Sequence, residues 1–289
     1  MDLTKYKEVD IDEVDFYLFD LKSKFRKINP SEYYLSYSGG KDSHLLYWFL
    51  RIYLKEHDPK MYEEYKQIPI VGSNTFMEHF EILDRIRKNC DVVVFPKLKP
   101  LEIKAKYGTP CFSKAQDEKI RRYQNGLRSE ALMKFITRED PTSMYNLNKK
   151  ASELLLSGKL HKVSPYCCKY LKKEPMAEYN KKTGRHPILG ITSDEGLMRK
   201  TQYTTCFTKD KKFVPMHDLP KELEEQIYKK YNIDIPEIYE YVDRTGCMGC
   251  PYGSYKGKTQ KELLLVSPAQ YKFYGLISKK VTKFWELNN

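Results

Sequence analysis

The chain of 289 residues carries 51 basic and 39 acidic side chains, a formal charge of +12, and 40% of it is hydrophobic. That is a globular composition, long enough for one large core or two modest ones. No run reaches eighteen apolar residues and the acidic opening MDLTKYKEVDIDEVD lacks a signal-peptide layout, so a soluble, cytoplasmic protein with no membrane span is expected.

Residues 11 to 28 place Ile11, Val14, Leu18, Leu21, Phe25 and Ile28 at alternating three- and four-residue spacing, a helical stripe that Asn29-Pro30 ends. Tyr33 to Tyr37 is aromatic and strand-favouring, and the apolar run HLLYWFLRIYL after Asp42-Ser43 predicts a buried helix. A second strand is expected at Gln67 to Ser73, a helix from about Glu78 to Asn89, and a third strand at 91 to 95. The segment from Lys114 to Leu156 reads as helical without a strand. A further strand spans His186 to Ile191, and Pro215, Pro220, Pro236, Pro251 and Pro268 punctuate a helical and irregular remainder. Strands alternating with helices predict an α/β fold, a parallel twisted sheet with helices on both faces. The expected organisation is an N-terminal helix at 1–30, an α/β core at 31–205 with a helical insertion at about 114–156, and a C-terminal helical segment at 206–289 packed on the core.

Charge is uneven. Residues 1 to 20 hold seven acids and two bases, which leaves +17 for the remainder. Such a basic body suits a nucleotide or nucleic-acid partner, and equally suits a lysine-rich solvated surface.

Ser38 to Ser43, SGGKDS, is a strand-to-helix turn. Unpaired backbone N–H groups at a helix start favour an anion, and glycines let it approach the chain closely. The pattern GxxxxGK[ST] fails, because Leu35 stands where its first glycine belongs and Asp42 follows the lysine.

There are seven cysteines. Cys167 and Cys168 are adjacent, and after 78 residues comes Cys247-Met248-Gly249-Cys250 within RTGCMGCPYG. Two separated thiolate pairs suffice for a Cys₄ site, and the ligand count allows zinc or an iron–sulfur cluster. Cys90 and Cys111 read as small packed hydrophobes.

SGGKDS matches the PP-loop of the ATP pyrophosphatase superfamily letter for letter. The tandem cysteines and CxxC downstream of it resemble the [4Fe–4S] pattern of adenylylsulfate reductases, part of the phosphoadenosine phosphosulfate (PAPS) reductase family. IVGSNTFMEH at 70–79, YGTPCFSKAQDEKI at 107–120 and ILGITSDEGLMRK at 188–200 also resemble motifs of that family, and the likeness runs from about Ser31 to Tyr274. The resemblance implies that Ser38, Gly39, Gly40, Lys41, Asp42 and Ser43 hold a phosphate or sulfate end. It further implies that Asn74 and Thr75 lie near the adenosine, that Glu195 and Arg199 border the anion, and that Cys167, Cys168, Cys247 and Cys250 bind the cluster. Cys206 is a spare thiol that can replace Cys167 as fourth ligand.

Two departures stand out. The C-terminal cysteine that sulfonucleotide reductases use as nucleophile is missing, since the last cysteine is Cys250. Thr192 replaces an arginine expected soon after the glycine, which removes a bidentate hold on an oxyanion. The resemblance therefore favours ATP-dependent adenylation coupled to sulfur transfer, with Lys41 stabilising phosphate charge and Asp42 holding Mg²⁺. The alternatives are a reductase of adenylyl sulfate or PAPS, with Cys206 as the free candidate thiol, and a binding protein without turnover. The basic stretch Arg121 to Lys134, with Tyr123 and Phe135, is the candidate contact for a nucleic-acid acceptor. Oligomeric state is not legible.

Overall fold

The computed structural model describes residues 12–140, 142–143, 146–192 and 203–252, together with positions 266, 270 and 272. Helix α1 (Glu13–Phe25) starts where Asp12 accepts a 2.9 Å hydrogen bond from the Val14 amide, with Glu13 and Asp15 in its first turn and Lys22 and Lys24 in its last. Those charges suit the helix dipole, and the buried stripe Val14, Leu18, Leu21 and Phe25 is the one its spacing predicts.

Strands β1 (Tyr33–Tyr37), β2 (Ile70–Ser73), β3 (Val92–Val94) and β4 (His186–Leu189) form one sheet in the order β3-β2-β1-β4. The central strand β1 runs parallel to both neighbours, with Leu35 opposite Ile70 on one side and Ile188 on the other. β2 is shorter than its apolar run suggests. The Ile68 amide closes a turn onto Tyr65, and Pro69 has no N–H to give a ladder.

Side-chain parity along β1 shows helices on both faces. Tyr34 sends its hydroxyl 2.5 Å to Asn180 of α10 (Glu174–Thr183) and sets its ring edge-on against Tyr179. Tyr37, of opposite parity, meets His44 of α2 (Lys41–Trp48) at 2.9 Å and Asn89 of α5 (Phe80–Asn89) at 2.8 Å. The fold class is thus α/β with a parallel sheet. The helix that starts at Lys41 continues through a π-helical turn, Phe49–Tyr53, into α3 (Leu54–His57), and α4 (Pro59–Tyr65) follows under an Asp58 cap.

The chain forms two compact units. The first, Met1–Gly72, Asp84–Val93 and Tyr179–Pro236, holds β1, β4, most of the other two strands and α11 (Lys221–Lys230). Its aromatic core stacks Phe25 on Phe49 at 5.3 Å and sets Phe213 edge-on to Phe25 at 5.2 Å. The second comprises Ser73–Leu83, Val94–Glu178 and Glu237–Asn289. In it α6 (Pro100–Tyr107) precedes α7 (Lys114–Gln124), α8 (Glu130–Thr137) and α9 (Lys149–Leu156), and Ile120, Phe135, Ile136, Leu147 and Val163 form a core among these last three. As expected, the described residues between Lys114 and Leu156 contain helices and no strand.

Candidate functional site

In the first unit, the strand order reverses at β1. The chain steps from β1 to β2 to β3 in one direction, and β4 returns to the other side of β1. Crevices beyond the carboxyl ends of parallel strands open at such a reversal. Ser38 to Gly40 leave β1 there, and Gly190 follows β4.

Two glycines shape the loop. Gly39 has φ of 75°, a conformation that favours glycine, and Gly40 is the N-cap of α2 yet offers no side chain to cap it. The first N–H groups of such a helix point out along its axis, where an anion is favoured. Ser43 fixes the turn, donating 3.0 Å to the Gly40 carbonyl, accepting 3.1 Å from the Ser38 amide and lying 3.0 Å from the Ser38 hydroxyl. Gly190 presses on the same turn. A Cβ there would stand 2.7 Å from the Asp42 carbonyl oxygen and 2.8 Å from the Ser43 nitrogen.

Helix α11 braces the loop from outside its own sequence. Tyr228 donates 2.7 Å to the Lys41 carbonyl, and Lys41 Nζ lies 3.4 Å from Glu224 Oε2. Glu224 is only 2% exposed. Burial, reinforced by the neighbouring Asp42 carboxylate and opposed by Lys41, pushes its carboxyl up to about 7. His44, one turn into α2, is shifted the other way. Burial, with the Arg85 charge, lowers it to about 4, so it packs as a neutral ring against Tyr37 and Tyr47. Thr192 is buried; Glu195 and Arg199 lie outside the described residues.

Asn74 and Thr75 belong to the second unit, where both organise a turn. Asn74 Oδ1 accepts from the Phe76 amide at 2.9 Å, and Phe76 takes a φ of 64°. Glu78 accepts from the Thr75 amide at 2.9 Å and hydroxyl at 2.5 Å, and the Thr75 hydroxyl lies 3.8 Å from Cys247 Sγ. The Met248 amide donates 2.6 Å to Met77, which ties the CxxC loop to that turn.

Cys167, Cys168, Cys247 and Cys250 all belong to this unit. Cys167 and Cys247 pack on Met77, Ile103, Leu171 and Met248. Burial pushes the Cys167 thiol up, and the neighbouring sulfurs of Cys247, Cys168 and Cys250 push it further. Lys172 is held charged chiefly by Cys247, with Glu78 and Cys168 also facing it. Among the described residues no group of three or more His, Cys, Asp or Glu meets a metal-binding geometry. The charges that bear on Cys167 from the other thiols come from Cys247, Cys168 and Cys250, and Lys172 faces Cys247. Tyr252, just past Cys250, donates 2.6 Å to Asp117, a buried carboxylate that also accepts the Cys111 and Phe112 amides at 2.7 and 2.9 Å.

The remaining thiols have other surroundings. Cys206, in the first unit, lies 3.8 Å from His217 Nδ1, and burial raises its pKa. Cys90 is pushed up to about 12 by burial and fills space that a side chain at Gly72 would need. Cys111 packs on the helical core of the second unit. On α7 and α8, Arg121 and Arg122 pair with Glu118, Lys134 pairs with Glu130, and Lys119 lies over the Phe135 ring at 4.1 Å.

Sequence reasoning missed Glu224, Lys172 and the Asp117–Tyr252 pair. Lys172 had a signal, being four residues after Cys168 in what is helical chain. Glu224 had none, because KELEEQIYKK reads as a solvated helix.

The fold and loop define an α/β protein with a glycine-rich strand-to-helix turn where the order of its parallel sheet reverses. No family model and no curated protein matches the sequence. Among solved structures, the crystal structure of phosphoadenylyl-sulfate (PAPS) reductase from Candida auris, phosphate complex, is similar with a TM-score of 0.38 and 10% identity, over 83% of this chain and 98% of that chain. The fold class rests on the parallel sheet itself.

Proposed function

We propose that the chain is a PP-loop enzyme that binds ATP with Mg²⁺, transfers adenylate to an acceptor with release of pyrophosphate, and carries a [4Fe–4S] cluster on Cys167, Cys168, Cys247 and Cys250. The observation that carries this reading is the uncapped start of α2 at the sheet's reversal, with Lys41 on its first turn. The α2 amides and Lys41 hold the phosphates and stabilise charge as the acceptor's nucleophile attacks the α-phosphorus in line and the bond to the pyrophosphate oxygen breaks. When bound, the cluster supplies a site that positions or delivers sulfur. Lys172 holds positive charge against the thiolates, and Thr75 and Met77 fix the CxxC loop.

Reduction of a sulfonucleotide is the weaker reading. It needs a reactive thiolate, and Cys206, its candidate, has a pKa raised by burial.

Calorimetry with ATP, followed by a pyrophosphate-release assay over candidate acceptors, tests the reading. Lys41→Met should weaken ATP binding by roughly 10- to 100-fold, the worth of a charge-assisted contact. No heat with ATP in the wild-type protein would overturn the proposal, and a protein-bound thiosulfonate after incubation with labelled adenylyl sulfate would replace it with the reductase. Anaerobic purification with metal analysis should return four irons per chain; zinc instead would remove the cluster from the proposal.

A further inference from the structure

Glu224 is a carboxylate that the fold has carried into the loop from the far end of the described chain and left half-satisfied. Its Oε2 is 3.4 Å from Lys41 Nζ, while Oε1 is buried and receives no hydrogen-bond donor. Asp42, on the same first turn of α2 as Lys41, is the carboxylate whose charge bears on Glu224. Two carboxylates in contact repel unless a proton or a cation lies between them. A buried oxygen without a partner is costly, a charged one more so. The placement is also rigid, because the Tyr228 hydroxyl, one turn on from Glu224, is bonded to the Lys41 carbonyl at 2.7 Å. Glu224 is 2% exposed, so no bulk water meets the unpaired oxygen beside Asp42.

We propose that Glu224 and Asp42 together ligate the divalent cation that accompanies the nucleotide's phosphates at this loop. The inference rests on the adenylation reading for its purpose, and on Glu224 for its geometry. Magnesium keeps most of its waters and is held by one or two carboxylates plus substrate phosphates, which is what a pair at the first turn of α2 can offer. The charges agree. Two carboxylates and Lys41 leave one negative charge, a divalent cation makes the site positive by one, and the ATP tail is then drawn to amides, ammonium and metal together. The cation gives Glu224 Oε1 the partner it lacks. Once the metal neutralises Glu224, Lys41 can turn from Oε2 to phosphate.

The test uses the full chain and Mn²⁺, without nucleotide, titrated by electron paramagnetic resonance. Wild-type protein should bind one Mn²⁺ that Glu224→Gln and Asp42→Asn each weaken on the order of tenfold or more. Circular dichroism checks that the variants fold; if Glu224→Gln does not, Asp42→Asn reads the same site from the other ligand. Equal Mn²⁺ affinity in wild type and a folded variant overturns the proposal, as does a wild type that binds no Mn²⁺ with or without ATP. ATP binding measured separately in EDTA keeps the two readings apart. If Mn²⁺ behaves as expected and ATP never binds, adenylation falls and the cation site stands.

Discussion

Lys41 and Glu224, residues that lie most of the chain apart in sequence, face each other at 3.4 Å across the start of α2, and the carboxylate is almost entirely removed from solvent. Without a bound cation this arrangement makes stability depend on pH. The folded-state pKa of Glu224 is raised from 4.5 to about 7, so the native state holds a proton that the unfolded chain releases. Stability is then lost as pH rises through that interval. In chelator, Glu224→Gln should be more stable than wild type at pH 8 by about 1–3 kcal/mol, with the gap closing towards pH 5, as read from urea unfolding at both values.

His44 works in the opposite sense on the other side of the loop. Its pKa is lowered from 6.5 to about 4, chiefly by burial, so folding favours the neutral ring. The penalty is absent above pH 6.5 and grows as pH falls from there to about 4, up to about 3 kcal/mol. Replacing it with glutamine should flatten this acid-side decline. Identical slopes for His44→Gln and wild type between pH 6.5 and 4.5 would contradict the assignment.

Gly190 is required by proximity rather than by its backbone angles. Alanine would drive its Cβ into the Asp42 carbonyl and Ser43 nitrogen, at 2.7 and 2.8 Å, and backbone atoms have no rotamer by which to move away. The expected cost is about 1–3 kcal/mol of stability, typical of overpacking, with a loss of ATP affinity because the first turn of α2 must shift. Thermal unfolding and calorimetry on Gly190→Ala read the two effects.

How far the site could be read in advance depended on whether its chemistry was local. The strand, the glycines and the helix start are contiguous from Tyr33 to Trp48, so period, turn residues and amides all pointed to one place. Cysteine spacing likewise pointed to one region, and Cys167, Cys168, Cys247 and Cys250 all fall in the second unit. Glu224 escaped because α11 buries Glu224, Ile227 and Tyr228 as one face, whereas composition marks Leu223 and Ile227 as its apolar pair. Nothing within KELEEQIYKK reveals that a lysine from residue 41 waits opposite. Asn74 and Thr75 were legible as a turn after β2, but their polar atoms are engaged by Phe76, Glu78 and Met77.

Metal content separates the thiols by their surroundings. Cys167→Ser and Cys247→Ser should each purify with little or no iron, because each removes a sulfur from the interacting set. Cys206→Ser should keep the wild-type iron content, since its near neighbours are His217, Lys24 and Asp218. Iron analysis on anaerobically purified variants decides between Cys167 and Cys206 as fourth ligand.

The pairing of Tyr33 with His186 sets a timetable for biosynthesis. As the polypeptide leaves the ribosome, β1 and its glycines emerge long before β4, which flanks them and follows β2, β3 and the helices between. Until then the nascent segment exposes an unpaired edge of aromatic residues and a loop without Gly190 behind it, a condition in which a chaperone has something to hold.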